Sequence, residues 1–341
     1  MRAFIRPAVL FGFSVVVASA WCVADRSPVA SAAAPKGIVA ITVEDAKKDS
    51  DFAIQGEYEG QLGGQDDKKK WGLQVIALGN GKFHAVAYAG GLPGAGWDKN
   101  EKLEVDGSVQ DGVATFNGEK GSATIKDGVA TIKHPDGKSL GEMKRVDRKS
   151  PTIGKKAPEG AVVLLDGKSG DAFTDPKKFV DGLMSQGITS KQKFQDFSLH
   201  MEFLLSYMPA SRGQGRANSG CYLQGRYEVQ ILDSFGLSGE HNECGGIYTI
   251  KKPDVNMCLP PLVWQTYDVE YTAARFDADG KKTSNAKLTV SHNGVQIHKD
   301  VELPKATTAA PVAEGAEPGP IYIQDHGNPI RFRNIWVVEK K

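Results

Sequence analysis

Residues Asn218 to Asp233 read NSGCYLQGRYEVQILD, and this segment gives the clearest indication of the fold. Apolar and polar side chains alternate along its second half, which is typical of a half-buried β-strand with one packed face and one mostly polar face. Gln224-Gly225 separates two apolar runs, so we expect a hairpin in which residues 221–223 pair with residues 227–229. The hydrogen-bonding side chains are more numerous than solubility requires: Asn218, Tyr222, Glu228, Gln230 and Asp233.

The composition favours an all-β protein that is rich in turns. The 341 residues include 39 glycines and 17 prolines, and apolar residues rarely recur at helical spacing. Forty-two Lys and Arg face 41 Asp and Glu, so the chain has no electrostatic surface for nucleic acid or an anionic membrane. A neutral partner is therefore expected. The length predicts two domains after removal of a leader.

The domain boundaries follow from shifts in composition. Residues 1–34 have the pattern of an export signal, because two arginines precede a short apolar run and small residues follow it. We expect an exported protein, periplasmic or secreted, with no stable membrane insertion after signal cleavage. A small β-rich domain is predicted for residues 45–147, a Pro- and Lys-containing linker for 148–160, and a larger β domain for 161–341.

Three cysteines remain after the predicted cleavage. A Cys244–Cys258 disulfide is one possibility, and isolated packed thiols are the other. His241, Glu243 and Cys244 with Cys258 match no standard zinc spacing, so a metal site is not predicted there.

Several local features give further expectations. Residues 79–81 and Asn293-Gly294 predict hairpins, with His292 on the surface beside the second turn. Arg212 and Arg216 are expected to be solvated. Residues 302–319 are rich in Pro, Ala and Gly and predict a mobile lid or a slack connection. Residues 321–338 are expected to close the chain as a last hairpin.

Six motifs occur in order along the second domain: Asn218-Ser-Gly220, Tyr227–Ser234, Trp264–Asp268, His292–Val295, Gly319–Gly327 and Arg331–Trp336. Together they resemble the 3-keto-disaccharide hydrolase family, which is associated with 3-keto-glucoside 1,2-lyase and 3-keto-2-hydroxyglucal hydratase activity. The resemblance implies a concanavalin A-like jelly-roll sandwich that holds a sugar, here preceded by a smaller β-meander domain. Pattern alone does not separate a jelly roll from another sandwich.

The chemistry that this resemblance implies requires few groups. A 3-keto sugar has an acidic hydrogen at C2, so one base can remove it, the C1 substituent leaves, and water adds to the enone. Glu228 or His326 is the predicted base, and Arg331 or Arg226 the predicted partner of the developing oxyanion. No cofactor is predicted, and a divalent cation is left open.

The remaining predicted site residues would bind substrate. Gln230 and Gln324 would orient hydroxyls, and Asp233 and Asp325 would hold a cation or orient the histidine. The predicted set also includes Asn218, Tyr222 and Arg333, although Asn218 has a rival role in its turn and Arg333 in a structural ion pair.

Two other functions remain open at this stage. One is a non-catalytic glycan-binding module on the same sandwich. The other is a conventional glycoside hydrolase, which the sequence disfavours because the Glu-x-Asp-x-x-Glu strand motif is missing. The enzyme hypothesis predicts that Glu228, His326 and an arginine converge on one sugar ring; if they lie on opposite sheets, the site assignment is wrong but the family is not.

Overall fold

The computed structural model describes residues 37–64 and 67–340. The predicted export signal and its cleavage region, up to residue 36, lie outside the described residues. The described part is nearly all β, as predicted, and residues 37–340 belong to one compact unit.

The first half of the unit is a closed eight-stranded barrel. Its strands are β1 (Gly56–Leu62), β2 (Lys69–Gly79), β3 (Lys82–Ala89), β4 (Lys102–Gln110), β5 (Val113–Gly118), β6 (Gly121–Lys126), β7 (Val129–Lys133) and β8 (Ser139–Val146). Each strand pairs antiparallel with the next, and β8 returns to β1. The predicted meander is thus an up-and-down barrel. The hairpin expected at residues 79–81 joins β2 to β3.

A short N-terminal segment packs against one end of the barrel. It contains the helical turns α1 (Val43–Ala46) and Ser50–Ala53, the second of them a 3-10 helix. Ala46 and Ile54 join the apolar interior of the barrel, and the Asp51 carboxylate accepts a hydrogen bond from the N–H of Gly81 at 2.8 Å. These contacts fasten the segment to the β2–β3 turn.

The second half is a sandwich of two antiparallel sheets. Its strands are β9 (Val162–Leu165), β10 (Phe179–Val180), β11 (Leu183–Ser185), β12 (Ile188–Phe194), β13 (Phe197–Leu204), β14 (Asn218–Leu223), β15 (Tyr227–Leu232), β16 (Trp264–Thr272), β17 (Arg275–Phe276), β18 (Lys282–Ser284), β19 (Ala286–His292), β20 (Val295–Leu303), β21 (Gly319–Ile323) and β22 (Arg331–Glu339). Two 3-10 turns, Pro176–Lys178 and Gly213–Gly215, interrupt the connections.

The two sheets differ in size. The large sheet has the order β10-β11-β22-β13-β16-β19-β20, with β9 also on β22, and the small sheet has the order β12-β21-β14-β15. Strands β17 and β18 form a separate ribbon. Side chains such as Met201 and Phe203 of the large sheet and Val229 and Ile231 of the small sheet share one apolar core. This arrangement confirms the predicted sandwich.

The last two strands correct one expectation. Strands β21 and β22 are neighbours in sequence, but β21 lies in the small sheet and β22 in the large one. Residues 324–330 therefore cross between the sheets and do not form a hairpin turn. The chain closes by linking the two halves of the sandwich.

Two other expectations about exposure are wrong. His292 continues the inward positions of β19, so it is buried, and its Nε2 lies 2.9 Å from Oε1 of Gln265. Burial lowers the pKa of His292 to about 3, which keeps the ring neutral. Arg216 is also buried, and its Nε lies 2.6 Å from Oδ2 of Asp233.

The segment after β20 is anchored by hydrogen bonds, which contradicts the expectation that residues 302–319 form a slack connection. The N–H of Thr307 donates to Arg226 O at 2.9 Å, and the N–H of Val312 donates to Gly225 O at 3.1 Å. Glu314 accepts a hydrogen bond from the Tyr227 hydroxyl and forms an ion pair with Lys282. The segment therefore covers the turn between β14 and β15.

The three described cysteines, Cys221, Cys244 and Cys258, are buried free thiols, and Cys244 and Cys258 are neighbours that do not form the disulfide considered above. Among the described helices, none has the length and apolar character needed to cross a bilayer.

Candidate active site

The β14–β15 hairpin forms in the predicted register. Cys221 pairs with Val229 and Tyr222 with Glu228, and the turn places Gln224 and Gly225 at positive φ, as a type I′ connection requires. Alternation then divides the hairpin into two faces. One face, with Val229, packs into the sandwich core, and the other faces away from the large sheet.

The polar face of the hairpin is buried, which corrects the expectation of a half-buried strand. All residues of β14 and β15 are buried, and Glu228 is only 2% exposed. Residues 245–248 pair along the free edge of β15, and Thr307 and Thr308 approach from the anchored segment. Polar groups on this face are thus enclosed by loops.

Glu228 lies at the centre of this face with one neutral partner. The Tyr222 hydroxyl donates to Oε2 of Glu228 at 2.8 Å. Burial raises the pKa of Glu228 to about 7, although the Tyr222 hydrogen bond opposes that change. Burial and the neighbouring Glu228 raise the pKa of Tyr222 well above its usual range, so the phenol stays a donor. A carboxyl group with a pKa near 7 is suited to accept and return a proton at neutral pH.

Gly220 leaves the space in which the Glu228 carboxyl group lies. Gly220 is opposite Gln230 in the hairpin, and a Cβ at Gly220 would collide with Oε1, Cδ and Cγ of Glu228. Oε1 accepts no hydrogen bond from the described residues, whereas Oε2 is bound by Tyr222. One carboxylate oxygen is therefore held and the other is left available.

Amide side chains extend the same face. The Gln214 carbonyl Oε1 accepts hydrogen bonds from Nδ2 of Asn218 at 3.0 Å and Nε2 of Gln230 at 3.2 Å. Oδ1 of Asn218 is buried and has no partner among the described residues. A buried acceptor without a partner is unusual, and a ligand hydroxyl would satisfy it.

Strand β21 supplies the other side of the face. Tyr322 pairs with Tyr222, with ring centroids 5.4 Å apart, and Nε2 of Gln324 lies 3.3 Å from the Tyr222 hydroxyl. Tyr322 and Gln324 are half-buried. Gln324 was predicted from the sequence as a site residue, whereas Tyr322, Gln214 and Gly220 were not. Tyr322 lies two residues before Gln324 in its strand, and that spacing was the available signal.

The structure separates both predicted β22 arginines from Glu228. Arg331 and Arg333 alternate with the core residue Phe332 on β22, so they lie on the outer face of the large sheet, across the core from Glu228. Arg333 pairs with Glu202 at 2.6 Å and lies over the ring of Trp264. Arg333 is thus structural, and Arg331 is not placed to stabilise an oxyanion beside Glu228.

Three further predicted residues have structural partners. Arg226 donates to Ala313 O and to Oε1 of Gln224, which fastens the anchored segment. Asp233 forms a buried ion pair with Arg216. Asp325 is exposed and accepts a hydrogen bond from the N–H of Gly327 within its own turn. These contacts leave none of the three bound to Glu228.

His326 lies half-exposed in the 324–330 crossing, two residues after Gln324. Among residues 37–64 and 67–340, no group of three or more His, Cys, Asp or Glu side chains is arranged to hold a metal ion.

Comparison with known proteins identifies the family. Residues 160–338, just over half of the chain, match the family described as the 3-keto-alpha-glucoside-1,2-lyase-like domain. The chain belongs to this family, and a carbohydrate-active function follows from that membership. No curated protein matches the chain.

Three crystal structures of candidate glycosyl hydrolases from Parabacteroides distasonis ATCC 8503 are similar to the chain. The first is 35% identical, with a TM-score of 0.48, and the match covers 54% of this chain and 85% of that one. The second is 17% identical, with a TM-score of 0.41 and coverage of 54% and 95%. The third is 19% identical, with a TM-score of 0.34 and coverage of 47% and 88%.

Proposed function

We propose that this protein is an exported enzyme that cleaves 3-keto glycosides by elimination across C1 and C2, followed by hydration. The observation that carries the proposal is the Glu228 carboxyl group, which is buried, has a pKa near 7 and keeps one oxygen free above Gly220. Family membership supports a sugar substrate. Periplasmic or secreted localisation is part of the proposal and rests on the leader-like sequence of residues 1–34.

The proposed reaction needs a single base. Oε1 of Glu228 takes the C2 proton, and the electron pair of the C2–H bond enters the enolate with the C3 ketone. Collapse of the enolate breaks the C1–O bond, and the leaving oxygen takes up a proton. Water then adds its hydroxyl group to C1, and its remaining proton replaces the one given to the leaving oxygen. Glu228 exchanges its proton with solvent and returns a proton to C2. The products are a 3-keto sugar and a free alcohol or sugar.

Other residues on the Glu228 face would position the sugar. Oδ1 of Asn218 is an acceptor for a sugar hydroxyl, and the half-buried Tyr322 and Gln324 offer donors at the opposite side. We propose His326 as the proton donor to the leaving oxygen, because it belongs to the crossing that follows Gln324 and is accessible. Tyr222 would hold Oε2 and so aim Oε1.

A substrate panel tests this proposal. The purified protein is incubated with a 3-keto glucoside, 3-keto-trehalose and the corresponding unoxidised sugars, and products are followed by NMR. The proposal predicts cleavage of the keto sugars alone. Cleavage of the unoxidised sugars would indicate a conventional glycosidase, and saturable binding without cleavage would indicate a glycan-binding module; either result contradicts the proposal.

A further inference from the structure

The barrel interior is filled at one end and open at the other. Tyr58, Val75, Phe83 and Ile125 are buried together near the N-terminal segment. Beyond them lies a cavity of about 500 Å³. Eight strands enclose just enough room for side chains or for one small ligand, and ligand pockets usually measure about 300–1,000 Å³. This cavity is large enough for a ligand.

The cavity exists because small residues occupy inward positions. Ala85 and Ala87 of β3 and Ala123 of β6 line it, and Gly118 and Gly121 bound it at the β5–β6 turn. Larger side chains at these positions would fill the interior, as Phe83 does further down. Protein interiors are otherwise close-packed, so a void of this size is unusual for a purely structural barrel.

The cavity wall is apolar and reached by solvent. Six large apolar lining residues remain partly exposed: Leu62, Trp71, Leu103, Val105, Ile132 and Leu140. Apolar surface that contacts water inside a barrel is unfavourable until something apolar covers it.

The polar lining groups are few and do not suit a charged ligand or a sugar. The charged lining residues are Glu104 of β4 and Glu119 and Lys120 of the β5–β6 turn, and all three are exposed; Nζ of Lys120 is 3.5 Å from Oε1 of Glu101. Among the residues that the structure describes, the wall therefore presents no buried charge to pair with an ionised ligand, and it lacks the convergent hydrogen-bonding groups that a sugar requires.

We propose that the barrel binds one neutral, largely hydrocarbon small molecule in this cavity. Trp71 and Phe116 provide aromatic surface, and the leucines provide aliphatic surface. The barrel lies outside the segment that matches the family, residues 160–338. The proposed ligand site is therefore separate from the Glu228 site, and it does not depend on the proposed reaction.

A fluorescent probe tests the site in the whole protein. N-phenyl-1-naphthylamine is neutral and apolar, and its emission rises in a dry site. The proposal predicts saturable binding with one site per chain. Ala123→Phe and, separately, Ala87→Phe place a ring in the cavity and should each weaken binding at least about tenfold. Thr124→Phe is the matched control, because Thr124 adjoins Ala123 on β6 and points to the other face of the strand.

The melting temperature of each variant is measured first, so that only folded proteins are compared. Two cavity-filling variants are used so that the test still works if one of them does not fold. Absence of saturable probe binding by the wild-type protein would overturn the proposal. Wild-type affinity in a folded Ala123→Phe or Ala87→Phe variant would also overturn it, because the probe would then lie elsewhere. Displacement of the probe by trehalose would contradict an apolar site.

Discussion

At the scale of single residues, the candidate site is defined by the buried carboxyl group of Glu228. Its carboxyl group is buried against a phenol and has no cationic partner among the described residues. The charged form is therefore disfavoured, which raises its pKa to about 7. A buried carboxyl group with a structural role is instead paired with a cation in this protein, as Asp233 is with Arg216 and Glu202 is with Arg333.

The pKa of Glu228 predicts the pH dependence of the reaction. The base must be ionised, so kcat/KM should fall about tenfold per pH unit below pH 7. The Tyr222 hydrogen bond lowers the pKa of Glu228, so Tyr222→Phe should move the inflection to higher pH. Steady-state rates between pH 5 and pH 9 measure both. An inflection that stays in place in Tyr222→Phe would separate the titration from Glu228.

The same pKa predicts an opposite effect on stability. A carboxyl group raised from 4.5 to about 7 binds more protons in the folded state, so the stability it contributes falls as pH rises through that interval. The total loss is about 3 kcal/mol. Glu228→Gln should therefore be more stable than wild-type above pH 7 and similar to it below pH 4.5. Urea unfolding at both pH values tests this, and equal stability at pH 8 would contradict it.

Gly220 offers a second test at this scale. Gly220→Ala adds a methyl group where the Glu228 carboxyl group lies, so the base must move while its chemistry is unchanged. Activity should fall at least about 100-fold. Gly215→Ala is the matched control, since a Cβ there meets no atom within 4 Å, and its activity should stay near wild-type. Full activity in a folded Gly220→Ala variant would show that the position of Glu228 does not matter.

At the scale of elements, the outer face of the large sheet is held by a separate polar cluster. Glu202 of β13 contacts Arg333, the Asn334 amide and the N–H of Gly154, and it lies 3.7 Å from His200. Burial would raise the pKa of Glu202, but these contacts outweigh it and lower the pKa to about 2. The connection after the barrel is thereby fastened to the sheet.

Glu202→Gln should destabilise the protein strongly. The change removes the buried carboxylate that binds the partly exposed Arg333, whereas His200 keeps its contact with Asp268, and loss of a hydrogen bond to a charged group costs about 1.5–3 kcal/mol. Glu270→Gln on β16 is the matched control, because its pair with Lys340 is exposed and is worth about 0–1 kcal/mol. Chemical denaturation at pH 7 measures the difference. A loss below 1 kcal/mol for Glu202→Gln would mean that the cluster is not structural.

Local sequence signals predicted the hairpins and the sandwich. They failed where contacts between residues distant in sequence determine the structure. Gln224-Gly225 and Asn293-Gly294 adopt the positive φ values that such turns require, so their hairpins were predictable. The crossing between β21 and β22 depends on which sheet accepts each strand, which no local pattern records. His292 was wrongly predicted to lie on the surface, although it is two residues after Val290 and therefore on the buried side of β19.

The candidate site was predictable in part for the same reason. Tyr222, Glu228 and Gln230 share a hairpin face, so alternation alone places them together. Arg331 belongs to another sheet, and only the three-dimensional structure shows which face of that sheet it occupies. The role of Gly220 was invisible because it depends on a side chain across the hairpin.

At the scale of the whole molecule, the barrel and the sandwich share contacts. Ile76, Val86 and Tyr88 point outward from the barrel and join the apolar core of the sandwich. Arg148 pairs with the buried carboxylate of Glu57 where the chain leaves the barrel. The described residues form one compact unit, so the two halves are expected to stabilise each other.

Calorimetry should accordingly show one unfolding transition for the whole protein. Ile76→Ala removes apolar contacts between barrel and sandwich and should lower stability by about 2–5 kcal/mol while the transition stays single. Two resolved transitions in the wild-type protein would show that the halves unfold independently.

We propose that Glu228 removes the C2 proton of a 3-keto sugar, and incorporation of deuterium from the solvent reports on that step. The wild-type protein and Glu228→Gln are each incubated with a 3-keto glucoside in deuterated water, and C2 is followed by NMR. The wild-type protein should cleave the sugar with deuterium at C2, and Glu228→Gln should lower both the cleavage rate and the deuterium incorporation at least about 100-fold. Cleavage without deuterium at C2, or a wild-type rate in Glu228→Gln, would contradict it.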